Sequence, residues 1–165
     1  MIINMTLSES SIDKAIRKLE AYSRSLDAKA NELCERLASM GAMYAEWNFS
    51  GVLYAGDVDY HITVDKGENG TYYIKANGET VLFMEFGTGI RHGHGHPLES
   101  EFGMGAGTYP GQKHALDPKG WWFYQGDTKI HTYGNAPGMP MYNAAQDLRR
   151  EILQVAKEVF RDDRP

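Results

Sequence analysis

The sequence predicts an α+β fold: a long N-terminal helix and a C-terminal helix packed on an antiparallel β-sheet, with a long Gly/His-rich loop. Apolar residues recur every three or four positions near both ends, they alternate with polar ones in the middle, and nine glycines fall between 87 and 120. At 165 residues, with no internal repeat and no linker, the chain is read as one domain over 1–165.

The N-terminal helix is expected over 8–48. Its stripe runs through Ile12, Ile16, Leu19, Leu26, Ala30, Leu33, Leu37, Met40, Tyr44 and Trp47, and Ser8, Ser10 and Ser11 offer N-caps. A continuous helix from 11 to 47 would be about 55 Å long. A compact globule of this size is only about 40 Å across. Either the helix breaks near Gly41 and lies on its own sheet, or it projects and buries its stripe on a partner. Cys34 is the single cysteine, which excludes an internal disulfide and a multi-cysteine zinc cluster.

The β region is placed at 50–86. In DVDYHITVD, Val58, Tyr60, Ile62 and Val64 alternate with Asp57, Asp59, His61, Thr63 and Asp65, which predicts a half-buried strand with an acidic outer face. KGENG turns the chain and TYYIKA returns it, up to the turn signal Asn77-Gly78. VLFMEF follows as a strand or a short buried helix. Residues 87–120 read as a loop of a length that is functional or disordered in most domains. WWFY and DTKIHTY predict a strand pair within 121–134, joined at Gln125-Gly126, with the aromatics filling core or an interface. After the turn Asn135-Ala136-Pro137-Gly138, Pro140 suits a helix start. Met141, Ala145, Leu148, Ile152, Val155 and Val159 then stripe a C-terminal helix over 141–161.

Charge and motifs exclude several classes. The net charge is −5, and residues 48–100 hold seven acidic side chains against three basic ones. Tight nonspecific DNA binding needs the opposite balance, so contact with nucleic acid is expected to repel or slide. No apolar run approaches the roughly 20 residues of a membrane span, and MIINMTLSES lacks the pattern of a signal peptide. Gly87-x-Gly89 is followed by His92 where a dinucleotide fingerprint has its third glycine, and no P-loop or G-x-S-x-G occurs. No cofactor is expected.

A metal site on His92, His94, His96 and His114, with Glu99 and Glu101 nearby, is the enzymatic alternative: a metal-dependent hydrolase. His94-x-His96-Pro97 resembles the start of JAMM-type metalloproteases, whose downstream Ser and Asp are absent here at the needed spacing. Residues two apart on an extended chain stand about 6.5 Å apart, whereas nitrogens around zinc lie within about 3.3 Å of each other. The loop would have to coil, at an entropic cost its glycines raise. Arg91, His92, His94 and His96 are therefore read as a solvated assembly loop. A toxin-like or immunity-type binding module is the third reading.

Two stretches in order, FMEFGTG (83–89) and GMPMYNAA (138–145), carry a resemblance. The chain resembles small tail-completion, neck or head–tail joining proteins of siphovirus-like bacteriophages and prophages. That family shows an N-terminal helix, a Thr-Gly-x-Leu-like strand start, a Glu-Phe-Gly-Thr corner, and Pro-Phe-x-x-Pro-Ala before its last helix. Ser50-Gly51-Val52-Leu53 is the counterpart of the strand start. Glu85, Phe86, Gly87 and Thr88, with Gly89, match the corner, and Pro140 and Ala145 match the last motif. Met141 and Ala144 replace its Phe and second Pro. The resemblance implies a non-enzymatic virion protein, made in the bacterial host cytoplasm. It implies assembly with copies of itself as a ring, beside tail-tube or head–tail connector proteins, with DNA at most passing through an acidic lumen.

The corner makes physical sense by itself. Gly87 and Gly89 allow a tight reversal, Phe86 anchors the core, and Thr88 can bond backbone groups. Glu85 is costly to bury unpaired, so it should meet backbone N–H groups or a basic residue, in its own chain or across a subunit boundary.

Overall fold

The structure, a computed structural model, describes residues 3–4, 6–54 and 56–161. In chain order it contains helix α1 (Glu9–Ser50), strand β1 (His61–Lys66), strand β2 (Tyr72–Asn77), helix α2 (Val81–Phe86), the single turn α3 (Glu99–Phe102), strands β3 (Trp121–Gln125) and β4 (Thr128–Thr132), and helix α4 (Pro140–Val159). The α+β class is as the sequence predicts. The single sheet is not: β1 pairs antiparallel with β2, β3 pairs antiparallel with β4, and the two ribbons stay separate. Alternation identifies a strand but carries no information about its partner, so the two hairpins looked like one sheet.

Helix α1 does not break at Gly41. It runs for 42 residues, or about 63 Å. A glycine inside a helix costs about 1 kcal/mol against alanine, but this one opens room for packing. A Cβ here would meet Leu148 Cδ2 at 3.1 Å and would overlap the end of Ile74, so α4 and β2 close onto the helix backbone. The same close approach rotates the buried face. Ala15, Ala38, Gly41, Ala45 and Phe49 are the buried positions, whereas Trp47, predicted to line the stripe, is 75% exposed. Small residues let the side chains of Ile74 and Leu148 reach the helix backbone. Helix α4 shows the same shift, burying Ala144 and leaving Ala145 exposed.

Helix α4 lies antiparallel along the C-terminal half of α1. Asn48 Nδ2 is 3.5 Å from Asp147 Oδ2 at one end, and Lys29 Nζ sits 5.9 Å from the Phe160 ring at the other. Residues 9–28 of α1 therefore extend beyond α4 by about 30 Å. Along this overhang Ile12, Ile16, Leu19 and Tyr22 are exposed. Among the described residues no helix is long and apolar enough to cross a membrane.

The strand predicted to start at Asp57 begins to pair only at His61, and Val58 and Val64 are exposed. Tyr60 instead stacks on Phe49, with ring centroids 4.6 Å apart. Asp59 closes the turn after β2: its carboxylate accepts the Glu79 N–H at 2.7 Å and its carbonyl accepts the Thr80 hydroxyl at 2.7 Å. VLFMEF takes the helical option. The 87–120 segment is irregular apart from α3, yet Tyr109 and Ala115 within it are buried.

Candidate functional site

The geometry converges on the corner after α2. Glu85 ends a helix that buries Met84, Glu85 and Phe86 together, so its carboxylate leaves water and needs partners. Helix α4 supplies them. Its N-cap, Met139, has φ 56 and offers no side-chain cap, and Pro140 at the first position has no N–H. The next two N–H groups point at Glu85: Met141 donates to Oε2 at 2.8 Å and Tyr142 donates to Oε1 at 3.0 Å. Asn143 N–H returns to the Met139 carbonyl at 2.8 Å. A side chain 56 residues away in sequence thus caps α4, and its negative charge sits at the positive end of the helix dipole.

His96 completes the arrangement. Leu98 N–H donates to His96 Nδ1 at 3.1 Å, which places the ring proton on Nε2, and Nε2 donates to Glu85 Oε1 at 3.0 Å. The imidazole lies 4.4 Å from the Phe86 ring and 5.6 Å from the Tyr142 ring. One side chain therefore fastens three segments: α2, the loop before α3, and α4. The unpaired Glu85 that would need a subunit boundary is not found, because its partners lie in the same chain.

The rest of the corner binds the segment before α4. Thr88 N–H donates to the Asn135 carbonyl at 2.8 Å, and Asn135 N–H donates to Thr88 Oγ1 at 2.9 Å. The buried Tyr109 hydroxyl donates to the Gly87 carbonyl. Gly89 lies under the Trp121 ring, where a Cβ would come within 3.2 Å.

These placements correct the reading of the histidines. His96 is buried and belongs to the core latch, not to a solvated loop. His92, His94 and His114 are exposed. His94 Nδ1 instead faces Glu99 Oε1 at 3.2 Å, and that contact, followed by the Gly95 N–H, holds the Glu99 carboxyl below its usual range. Arg91 lies 3.9 Å from the centre of the Tyr133 ring and donates to the Pro118 carbonyl at 2.8 Å. Among the described residues no three His, Cys, Asp or Glu side chains come together as a metal-ligand set.

A cleft of about 340 Å³ opens behind the β3–β4 ribbon, lined by Tyr54, Phe83, His114, Trp121, Phe123 and Asn135. The buried Tyr109, whose ring packs 5.6 Å from that of Phe83, was not legible in the sequence, since a lone tyrosine in a glycine-rich stretch carries no periodic signal. Burial, then the Tyr54 hydroxyl, pushes the Tyr109 phenol well above its ordinary value. The folded state therefore favours the protonated phenol. That contribution is complete below pH about 10 and is lost as the pH rises from there toward the raised folded value. Urea midpoints are expected to fall above pH about 10, and Tyr109→Phe should flatten that fall while costing about 1–2 kcal/mol at neutral pH. Equal alkaline slopes for the two proteins would count against the assignment.

No family model, no curated protein and no solved structure matches the chain.

Proposed function

We propose that the chain is a non-enzymatic structural subunit of a tailed-bacteriophage or prophage particle. In this reading it is a tail-completion or neck component that forms part of a ring at the head–tail junction. The observation that carries it is the α1 overhang. Residues 9–28 of the helix lie beyond α4 and, although Ala15 is buried, keep Ile12, Ile16, Leu19 and Tyr22 exposed, and a second apolar patch at the other end exposes Met43, Trp47 and Leu53. Two apolar patches on opposite ends of one long helix suit a subunit with a neighbour on each side.

Magnitudes favour an assembly over a free dimer. Covering the exposed part of each overhang side chain gives on the order of 1 kcal/mol, so four give about 4 kcal/mol. Association costs of about 4–15 kcal/mol absorb all of that. The overhang therefore binds well only where other contacts already hold the subunit in place, as on a tail tube or a head–tail connector. The buried corner serves this arrangement by fixing α4 against the base of the projecting helix. The acidic excess in residues 48–100 suits a surface past which duplex DNA moves without sticking.

Ile16→Glu with Leu19→Glu tests the reading. Both side chains are exposed, so the melting temperature of the isolated protein should stay within about 2 °C. Incorporation into particles should be lost. Normal incorporation of the double variant would remove the overhang from the account.

A further inference from the structure

We propose that the outer face of the β3–β4 ribbon binds single-stranded nucleic acid, with Trp122 and Tyr124 stacking on unpaired bases and Lys129 and Arg91 meeting phosphates. This does not rest on the particle reading and does not depend on the α1 overhang.

The register builds the face. Trp122 stands opposite His131 and Tyr124 opposite Lys129, so these four side chains share one side of the ribbon. Trp121 and Phe123 point the other way, into the cleft. The outer aromatics are not core residues: Trp122 is 59% exposed and Tyr124 69%. Of the four aromatics expected to fill core or an interface none is buried: Trp121 and Phe123 are half-buried at the cleft, and Trp122 and Tyr124 are exposed.

The chemistry of the row selects the partner. Lys129 Nζ lies 5.2 Å from the Trp122 ring, Trp122 meets His131 edge-on at 4.7 Å, His131 meets Tyr133 at 4.9 Å, and Arg91 lies 3.9 Å from the Tyr133 ring. A cation thus closes each end of a continuous aromatic row. Outward-facing residues of the ribbon include no Asp, Glu, Asn or Gln, and the turn between the strands carries Asp127. A sugar would need carboxylate or amide partners around its hydroxyls, which this face lacks. An apolar protein surface would have to desolvate the Lys129 and Arg91 charges. Flat rings beside positive charge fit bases and phosphates together, and only unpaired bases offer their flat faces. Net charge in the chain is −5, so the row is a local exception to a surface that otherwise repels polyanions.

Fluorescence anisotropy of a short labelled oligothymidylate at about 50 mM salt reads the binding. Micromolar affinity is expected, well above that for a duplex of equal length. Trp122→Ala with Tyr124→Ala should weaken it by about tenfold or more. Lys129→Gln with Arg91→Gln should reduce the slope of log affinity against log salt by about 1.4. Circular dichroism checks that each variant folds, and Tyr124→Ala alone serves if the double variant does not. The proposal is overturned if the oligonucleotide does not bind, if the duplex binds as tightly, or if the aromatic variants bind unchanged. Polyglutamate competing as well as the oligonucleotide would also overturn it, in favour of an acidic-peptide site.

Discussion

Glu85→Ala is expected to destabilise the fold by about 3–5 kcal/mol, lowering the melting temperature by roughly 10 °C or more. Three donors lose their acceptor at once: the N–H groups of Met141 and Tyr142, and His96 Nε2. A buried donor left without a partner costs about 1–3 kcal/mol. Water entering from the groove beside Phe102 and Tyr142 should recover part of the sum. Glu85→Gln keeps one carbonyl oxygen for the helix but turns an amide N–H toward the remaining donors, so it should fall between alanine and the native residue. His96→Ala leaves both backbone bonds to Glu85 in place and should cost less than Glu85→Ala. Thermal or urea denaturation of the three variants measures the order. A loss below about 1 kcal/mol for Glu85→Ala would mean that α4 does not depend on this cap.

Gly134→Ala should be comparably severe, for a steric reason. Gly134 has φ +100, and a Cβ there would run into the Thr88 carbonyl. Backbone surrounds the clash on both sides, because residues 88 and 135 are already hydrogen-bonded to each other. No flexible side chain can yield, so a loss of at least about 3 kcal/mol is expected. Gly126→Ala is the control. Its φ of +59 is also left-handed, but nothing lies within 4 Å of the added Cβ, and the cost should be only about 1 kcal/mol. Equal losses at the two positions would show that conformation alone, and not the approach of the two backbones, sets the penalty.

Periodicity made the long helix legible, because a three-and-four pattern sustained from Ile12 to Trp47 has no other regular solution. It could not show which face is buried, since Ala38, Gly41 and Ala45 are buried through smallness, a property absent from an apolar count. The Glu85 corner was legible in kind: a carboxylate inside an apolar run must find donors. Backbone N–H groups were among the donors expected for it and are found, but which two they are was not legible, because backbone N–H groups leave no trace in the side-chain sequence. His96 was equally hidden, since it follows His92 and His94 at the same two-residue spacing. What distinguishes it is contact with Phe86 and Tyr142, a product of the fold. The aromatic row was split between WWFY, the second strand and Arg91, and only the register of β3 on β4 aligns its members.

Quantitative mass spectrometry of particles purified from the induced host strain, with the wild-type chain and the Ile16→Glu, Leu19→Glu variant each supplied in place of the native copy, tests whether the chain is a particle subunit held by its α1 overhang. The wild-type chain should be present at a fixed ratio to the tail-tube protein, and the variant, folded and soluble in the lysate, should be missing from the particles. Absence of the wild-type chain from the particles, or equal incorporation of both chains, would contradict the account.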